Sequence, residues 1–365
     1  MTAEILVKHV EPLHVLSVRK WLGDQSEVAR ELASLLPSVA DILSGPPMAL
    51  RLGFPQDGQA QFDLAFPVRE SVEREGFEVQ VLPALPMFSI THEGSIAGGP
   101  EGTNLADSWQ SFAKFVGERG VLAGDDPARF VYRGGLDTAN TDEERFVLEV
   151  QYPYHMPMWI EAFEKGVTGC MDEDAAARVL SGSEGLAEAL DGEKAAAWVQ
   201  VAVERFDREV ADEGTRARVL NACAHHYIVQ SALTLKAAWD ESEHDLRALV
   251  QQLSDEPILG GKYWLDESGE TPLLCIQRRP ARQEAYDQAT DPVEKRYQAC
   301  FCPLVRDAIR EGKPVSRTFC HCSSGWYVQE WETVFGEPPR VDLVETMLEG
   351  ADACVFAVHV PPGFL

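Results

Sequence analysis

One pattern occurs twice in the first 155 residues of this 365-residue chain: an extended segment, an amphipathic helix, then two short strands joined by a polar turn. In the first copy, Pro12 to Arg19 alternates Leu13, Val15 and Ser17 with His14, Leu16 and Val18, as a strand partly covered on both faces would. A helix is predicted over Ser26 to Leu43, with Val28, Leu32, Leu35, Leu36, Val39 and Ile42 on one stripe and a kink or early end at Pro37. Ala49 to Phe54 and Gln61 to Val68 follow as strands around the turn QDGQA. The second copy runs through Val81 to Thr91, a glycine-rich connection with Thr103 or Asn104 free to cap, a helix over Leu105 to Glu118, and strands Phe130 to Gly134 and Glu144 to Pro153. Two such units can join their sheets, cover one side with helices and leave a cleft between the halves. The fold class expected is therefore α+β: a duplicated strand-helix-strand-strand cup, then a helical region, then a cysteine-rich α+β region.

The candidate walls of the cleft are Phe66, Trp109, Phe112, Tyr132 and Tyr152, although rings at this spacing equally serve as core. Glu149 stands out, because it interrupts the apolar strand FVLEVQYPY, where a carboxylate loses hydration unless paired or facing a wet cavity. Three readings stay open. Glu149 attracts a cation among aromatic faces, or it works as a general acid or base with a raised pKa while Trp109 positions a substrate, or it lies with Gln151 on a solvated strand face.

These elements carry a resemblance. VLPALPMFSITHEGS, the helix with SWQSFAKFV, and the closing LEVQYPY resemble the gyrase-inhibitory-like (GyrI-like) effector-binding family. That resemblance implies a central cleft for amphipathic or cationic compounds, with a glutamate of the last strand, here Glu149, as its acidic residue. Some relatives hydrolyse strained cyclopropane-bearing compounds. The chain departs from the family's transcription regulators, since no helix-turn-helix precedes the cup.

Length and composition set the remaining bounds. The chain is long enough for two or three domains, expected at 1–155, 156–255 and 256–365, the last packed with the helical scaffold before it. With 32 Lys and Arg against 59 Asp and Glu, the formal charge of -27 repels phosphate backbones and anionic membranes, so nucleic acid and membrane are not expected as partners. The beginning MTAEILVKHV has no signal-peptide pattern, and no run approaches a membrane span, so a cytoplasmic protein binding a small organic molecule is expected.

From Met156 to Val250 the stretches EDAAARVL, GLAEALDGEKAAAWVQVAVERFDREV and TRARVLNACAHHYIVQSALTLKAAW read as amphipathic helices. Cys170, Cys223, His225 and His226 raise a metal reading there, but adjacent histidines on a helix point about 100° apart. Further on, KYWLDESGETPLLCIQRR predicts a hairpin, and VDLVETMLEG with CVFAVHVP predicts two strands. Between them, Cys300, Cys302, Cys320 and Cys322 are close enough in sequence for a chain reversal to gather them. Four thiolates so gathered suit zinc or an iron-sulfur cluster; they equally suit redox chemistry or plain packing. In an extended segment both thiols of each pair share a face, with His321 opposite, and Ser323 or Ser324 then caps a helix. The segment Cys300 to Pro361 resembles the L-2-amino-thiazoline-4-carboxylic acid hydrolase-like proteins, and its end the vinyl-reductase type of small-molecule-binding domain, through the four cysteines with Gly325, Trp326, Gly350, Cys354 and Phe356. The hydrolase resemblance implies opening of a heterocycle.

Three functions follow: a sensor or sequestering protein for an aromatic or cationic compound, a hydrolase of a strained or heterocyclic electrophile, and a thiol- or metal-dependent enzyme.

Overall fold

The computed structural model describes residues 4–52, 59–94, 96, 105–119, 128–138, 145–186, 191–224, 229–255, 259, 261–269 and 271–365. The chain divides into two compact units, one of Met1–Glu118 with Ala123–His155 and the other of Arg119–Leu122 with Met156–Leu365.

The first unit contains β1 (Ile5–Val10), β2 (Leu13–Leu22), α1 (Gln25–Leu35), β3 (Met48–Arg51), β4 (Ala60–Val68), β5 (Glu78–Leu82), β6 (Leu85–Gly94), α2 (Leu105–Arg119), β7 (Ala128–Gly134) and β8 (Phe146–Pro153). Helix α1 begins where Asp24 accepts a hydrogen bond from the Glu27 N–H at 2.8 Å, and it gives way to a 3₁₀ turn at Leu36–Ser38, where Pro37 has no N–H to continue the ladder. It is therefore shorter than the stripe to Leu43 predicts. Strand β3 ends at Arg51, and Phe54 of the predicted strand lies outside the described residues.

All eight strands join one antiparallel sheet in the order β1-β6-β8-β7-β3-β4-β2-β5. The order reads the same from either edge once the two repeats are exchanged, with β7 and β3 paired at the centre. β2 and β6 are equivalent, as are β4 and β8, so Ser17 matches Ser89 and Asp63 matches Glu149. β1 and β5 extend the edges; the repeat pattern alone does not require either.

Strand side chains alternate between faces. One face carries Phe62, Phe66, Phe88, Tyr132, Leu148 and Tyr152, and the helices pack on it: Phe88 meets Phe112 and Phe115 of α2 edge-on at 5.8 Å, and Val28, Ala29 and Leu32 of α1 are buried. The other face has an apolar group, Val15, Met48, Leu50, Ala65, Leu82 and Val131, set among buried polar residues. This is the polar face of the sheet.

The second unit is helical first: α3 (His155–Cys170), α4 (Glu173–Leu180), α5 (Gly192–Glu209), α6 (Glu213–Ala222), α7 (Val229–Glu241) and α8 (Leu246–Asp255). Asp172, Asp191 and Asp212 cap α4, α5 and α6 with side-chain hydrogen bonds of 2.9, 3.0 and 2.7 Å, which sets starts that periodicity leaves vague. Next come β9 (Lys262–Asp266), β10 (Leu273–Gln277), α9 (Gln283–Gln288), α10 (Pro292–Ala299), α11 (Arg306–Glu311), α12 (His321–Phe335), β11 (Val341–Glu345) and β12 (Val355–His359). The four strands form an antiparallel sheet, β11-β12-β10-β9, which includes the predicted hairpin. One core joins Leu249 and Leu253 of α8, Trp331 of α12 and Ile276, Phe356 and Val358 of the sheet. Among the described residues no helix is long and apolar enough to cross a membrane.

The segment Cys320-His321-Cys322 is helical rather than extended. Ser316 accepts a hydrogen bond from the Thr318 N–H at 3.1 Å, a 3₁₀ turn covers Arg317–Cys320, and α12 starts at His321, ahead of Ser323 and Ser324. Burial of His321, Cys322, Gly325, Tyr327 and Trp331 at helical spacing favours this over a strand.

Candidate functional site

The polar face of the first unit concentrates the chain's costliest burials. Asp63 and Glu149, at matched positions of the two repeats, are each 3% exposed, and Ser17, Ser89, Gln151 and Arg129 are buried beside them. A sheet face that needed only a core would be apolar, because each buried charge loses about 3 kcal/mol or more of hydration unless paired.

Glu149 is paired on both oxygens. Oε1 accepts from Lys8 Nζ, from Ser89 Oγ at 2.5 Å and from Gln151 Nε2 at 3.0 Å; Oε2 accepts from Arg133 Nε at 2.6 Å. Burial alone would push this carboxyl up, but the hydrogen bonds from Lys8, Ser89, Gln151 and Arg133 outweigh it and hold the pKa at about 2. Glu149 is therefore a fixed anion. So low a pKa makes it a weak base and leaves it no proton to donate near neutrality, which is unlike the raised pKa that a general acid requires. Neither does it lie on a solvated face, the third reading of the sequence.

In the other repeat, Arg19 grips Asp63 with two bonds, Nε to Oδ1 at 2.7 Å and Nη2 to Oδ2 at 2.9 Å, and Gln80 bridges Ser17 at 2.7 Å and Asp63 at 3.3 Å. Arg129 differs from both. It is 1% exposed, donates only Nη2 to the Pro83 carbonyl at 3.2 Å, and finds no acceptor for Nε or Nη1 among the described residues. Burial lowers its pKa to about 10, so it stays charged at neutral pH. Arg19, Arg129 and Lys8 belong to this face, and the sequence reading singled out none of them. The available signal was strand parity: Arg129 and Arg133 alternate with Phe130 and Tyr132.

The aromatic candidates sit on the helix face, away from Glu149. Tyr152 stacks on Phe112 with centroids 4.1 Å apart and planes at 17°. The Tyr132 hydroxyl donates to Gln25 Oε1 at 2.9 Å, and its ring meets Phe146 edge-on. Phe66 is fully buried against Phe77. The Trp109 side chain, like His225 and His226, lies outside the described residues. A 280 Å³ pocket opens on this face near the first turns of α1 and α2, lined by Gln25, Arg51, Ser108, Phe130, Val150 and Tyr152, with Ile90 and Leu105. The structure thus brings Phe112, Tyr152 and Tyr132 to the helix side and sets Glu149 on the reverse of the same sheet.

The cysteines form a separate group in the second unit. All eight are free thiols. Cys300 ends α10, Cys320 precedes α12, and Cys322 in its first turn lies 3.6 Å from the Cys223 carbonyl oxygen. Burial, and then the neighbouring thiols, push Cys300 and Cys302 up to about 12, while burial pushes Cys322 up to about 11, which keeps them as thiols near neutrality. Among the described residues no group of three or more His, Cys, Asp and Glu is placed to hold a metal ion. His321 is buried and its pKa falls to about 4.

Comparison with known proteins finds no matching family model and no matching curated protein. Solved structures do match, distantly. The C-terminal domain of EcmrR is 18% identical over 42% of this chain and 98% of its own, with a TM-score of 0.35. SAV2435 bound to tetraphenylphosphonium is 12% identical over 41% and 93%, with a TM-score of 0.28. A hydrolase encoded by lin2189 from Listeria innocua is 10% identical over 41% and 91%, also at 0.28. The relationship to the small-domain folds suggested by the sequence is structural and remote, and no specific family is shown.

Proposed function

We propose that the first unit binds a small cationic or aromatic organic molecule, as a cytoplasmic sensor or sequestering protein, with Glu149 of the polar face as the anchor for a positive group. The observation that carries this reading is the asymmetry of the Glu149 pairing. The carboxylate is buried and held by Ser89 and Gln151, whereas the side chains of Lys8 and Arg133 are 34% and 48% exposed. The two long side chains have room to turn back into water as another cation arrives, so that the buried carboxylate is never left unpaired. A desolvated ligand cation can then take their place beside an anion that does not need to move.

The test is a titration with tetraphenylphosphonium and with neutral triphenylphosphine oxide, on the wild type and on Glu149→Gln. Loss of about tenfold or more in affinity for the cation, with the neutral compound unaffected, is expected. Equal affinity of both proteins for the cation would remove Glu149 from the site.

A second reading rests on the 280 Å³ pocket of the helix face, whose Phe130 and Tyr152 walls suit a neutral aromatic guest and which has no carboxylate among its described lining residues. Binding that Tyr152→Ala abolishes and Glu149→Gln spares would select it.

A further inference from the structure

The second unit holds a cavity of 420 Å³ between the start of β9, the end of β10, α9 and the approach to β12. Its lining has three cations, Lys262, Arg278 and Arg279, against one carboxylate, Asp352. That sign is opposite to the chain's own, with acidic residues outnumbering basic ones by 59 to 32. Surface arginines and lysines elsewhere find carboxylates readily: Arg310 takes Glu294 at 2.7 Å and Arg178 takes Glu209 at 2.9 Å. Lys262 and Arg279 have no such side-chain partner among the described residues.

Arg278 is fixed by other means. Its guanidinium carbon lies 3.8 Å from the centre of the Phe301 ring and 4.6 Å from that of Trp326, and its backbone N–H donates to the Cys354 carbonyl at 3.0 Å. Stacking on rings holds a guanidinium in place while leaving its N–H edge for an acceptor. Gly261 adds a backbone requirement. It has φ +134°, and a Cβ there would come within 2.8 Å of the Gln277 carbonyl oxygen, so the wall between Lys262 and Gln277 depends on glycine. Tyr286, Pro280 and Met347 add apolar surface to the lining.

We infer that this cavity binds a small organic dianion, with a phosphate monoester on an aromatic or otherwise flat body as the best match. Three cations and one anion leave an excess of two positive charges, and a phosphate monoester carries about −1.5 to −2 at neutral pH. Arg279 has a planar fork that suits tetrahedral phosphate oxygens, Lys262 adds a mobile point charge, and Arg278, held on its rings, adds positive charge beside them. The volume suits one ring and its headgroup. This site is independent of the first unit and of its proposed ligand.

The experiment is calorimetric titration of the full chain with p-nitrophenyl phosphate, phthalate and inorganic phosphate at low salt. The two aromatic dianions are expected to bind and inorganic phosphate to bind more weakly. Lys262→Gln and Arg279→Gln should each weaken the aromatic dianions by about fivefold or more, and Asp352→Asn should tighten them by about twofold. The order of p-nitrophenyl phosphate and phthalate shows whether phosphate or carboxylate is the headgroup selected. The three substitutions lie at the cavity lining, and unchanged circular dichroism confirms folding. Failure of both aromatic dianions to bind at millimolar concentration, or affinities within twofold of wild type in both charge-removing variants, would overturn the site.

Discussion

The two sheets of this protein spend their buried faces differently. The four-stranded sheet of the second unit buries Ile276, Phe356 and Val358 against Trp331 and Leu253, an all-apolar solution, and leaves its cations at the rim of a cavity. The eight-stranded sheet buries Asp63, Arg129 and Glu149 in one face, among a small apolar group, and gives its aromatic rings to the other. The first arrangement is what stability alone selects; the second costs free energy unless every charge is paired.

The sharpest way to break this contrast is to cut each face once. Phe356→Ala, at a fully buried position, should lose about 3–5 kcal/mol in a urea melt, as truncation of a large core side chain does. A loss below about 1 kcal/mol would mean that the smaller sheet is not the core of its unit.

Acid probes the other face. The Glu149 pKa is depressed from 4.5 to about 2, so its contribution to stability is complete above about pH 4.5 and is lost as the pH falls toward 2. The contribution is on the order of 3 kcal/mol at most. Wild type should therefore lose more stability between pH 4.5 and pH 2 than Glu149→Gln, which has no proton to take up there. Parallel acid-unfolding profiles for the two proteins would contradict the pairing.

Smaller than either is a purely steric effect in the second unit. A Cβ at Gly325 in α12 would meet the Asn221 carbonyl oxygen and stand 2.7 Å from the Ala224 Cβ, so the helix crosses the end of α6 at a distance only glycine permits. Gly325→Ala should cost about 1–3 kcal/mol through overpacking, readable as a fall in melting temperature. Gly325 was among the positions carrying the sequence resemblance at the C-terminal end, and close helix packing explains it without chemistry.

Much of the architecture could be read from the residues because the signals are local. Alternation marks β2 and β8, the stripe of Val28 and Leu32 marks α1, and the hairpin of β9 and β10 follows from KYWLD and LLCIQ around a polar turn. The same alternation placed Glu149 among apolar neighbours. Its partners were hidden: Lys8 comes from an edge strand 141 residues away, and nothing short-range links them. The grouping of rings with the carboxylate failed for a simpler reason, since Glu149 and Tyr152 are an odd number apart on one strand and so face opposite ways. For Cys320 and Cys322, spacing fitted a strand as well as a helix, and the burial of α12 against α6 and α7 decided between them.

The smallest expected effect has the most unusual sign. Arg129 lies on the polar face with Nε and Nη1 unpaired among the described residues, whereas Arg19 and Arg133 on the same face each hold a carboxylate. Removing a partner from those pairs destabilises, but replacing an unsatisfied buried cation with an apolar side chain of similar length removes a desolvation cost and little else. Arg129→Met should therefore leave stability unchanged or raise it by about 1–2 kcal/mol, and Arg19→Met should lower it. A ligand that uses the face would reverse the comparison in function: the more stable Arg129→Met protein should bind any guest with an acceptor group less well. Chemical denaturation of both variants, alone and with ligand, separates the two roles. A loss of stability from Arg129→Met as large as that from Arg19→Met would show that Arg129 is structurally paired after all, and the contrast between satisfied and waiting charges on this face would be gone.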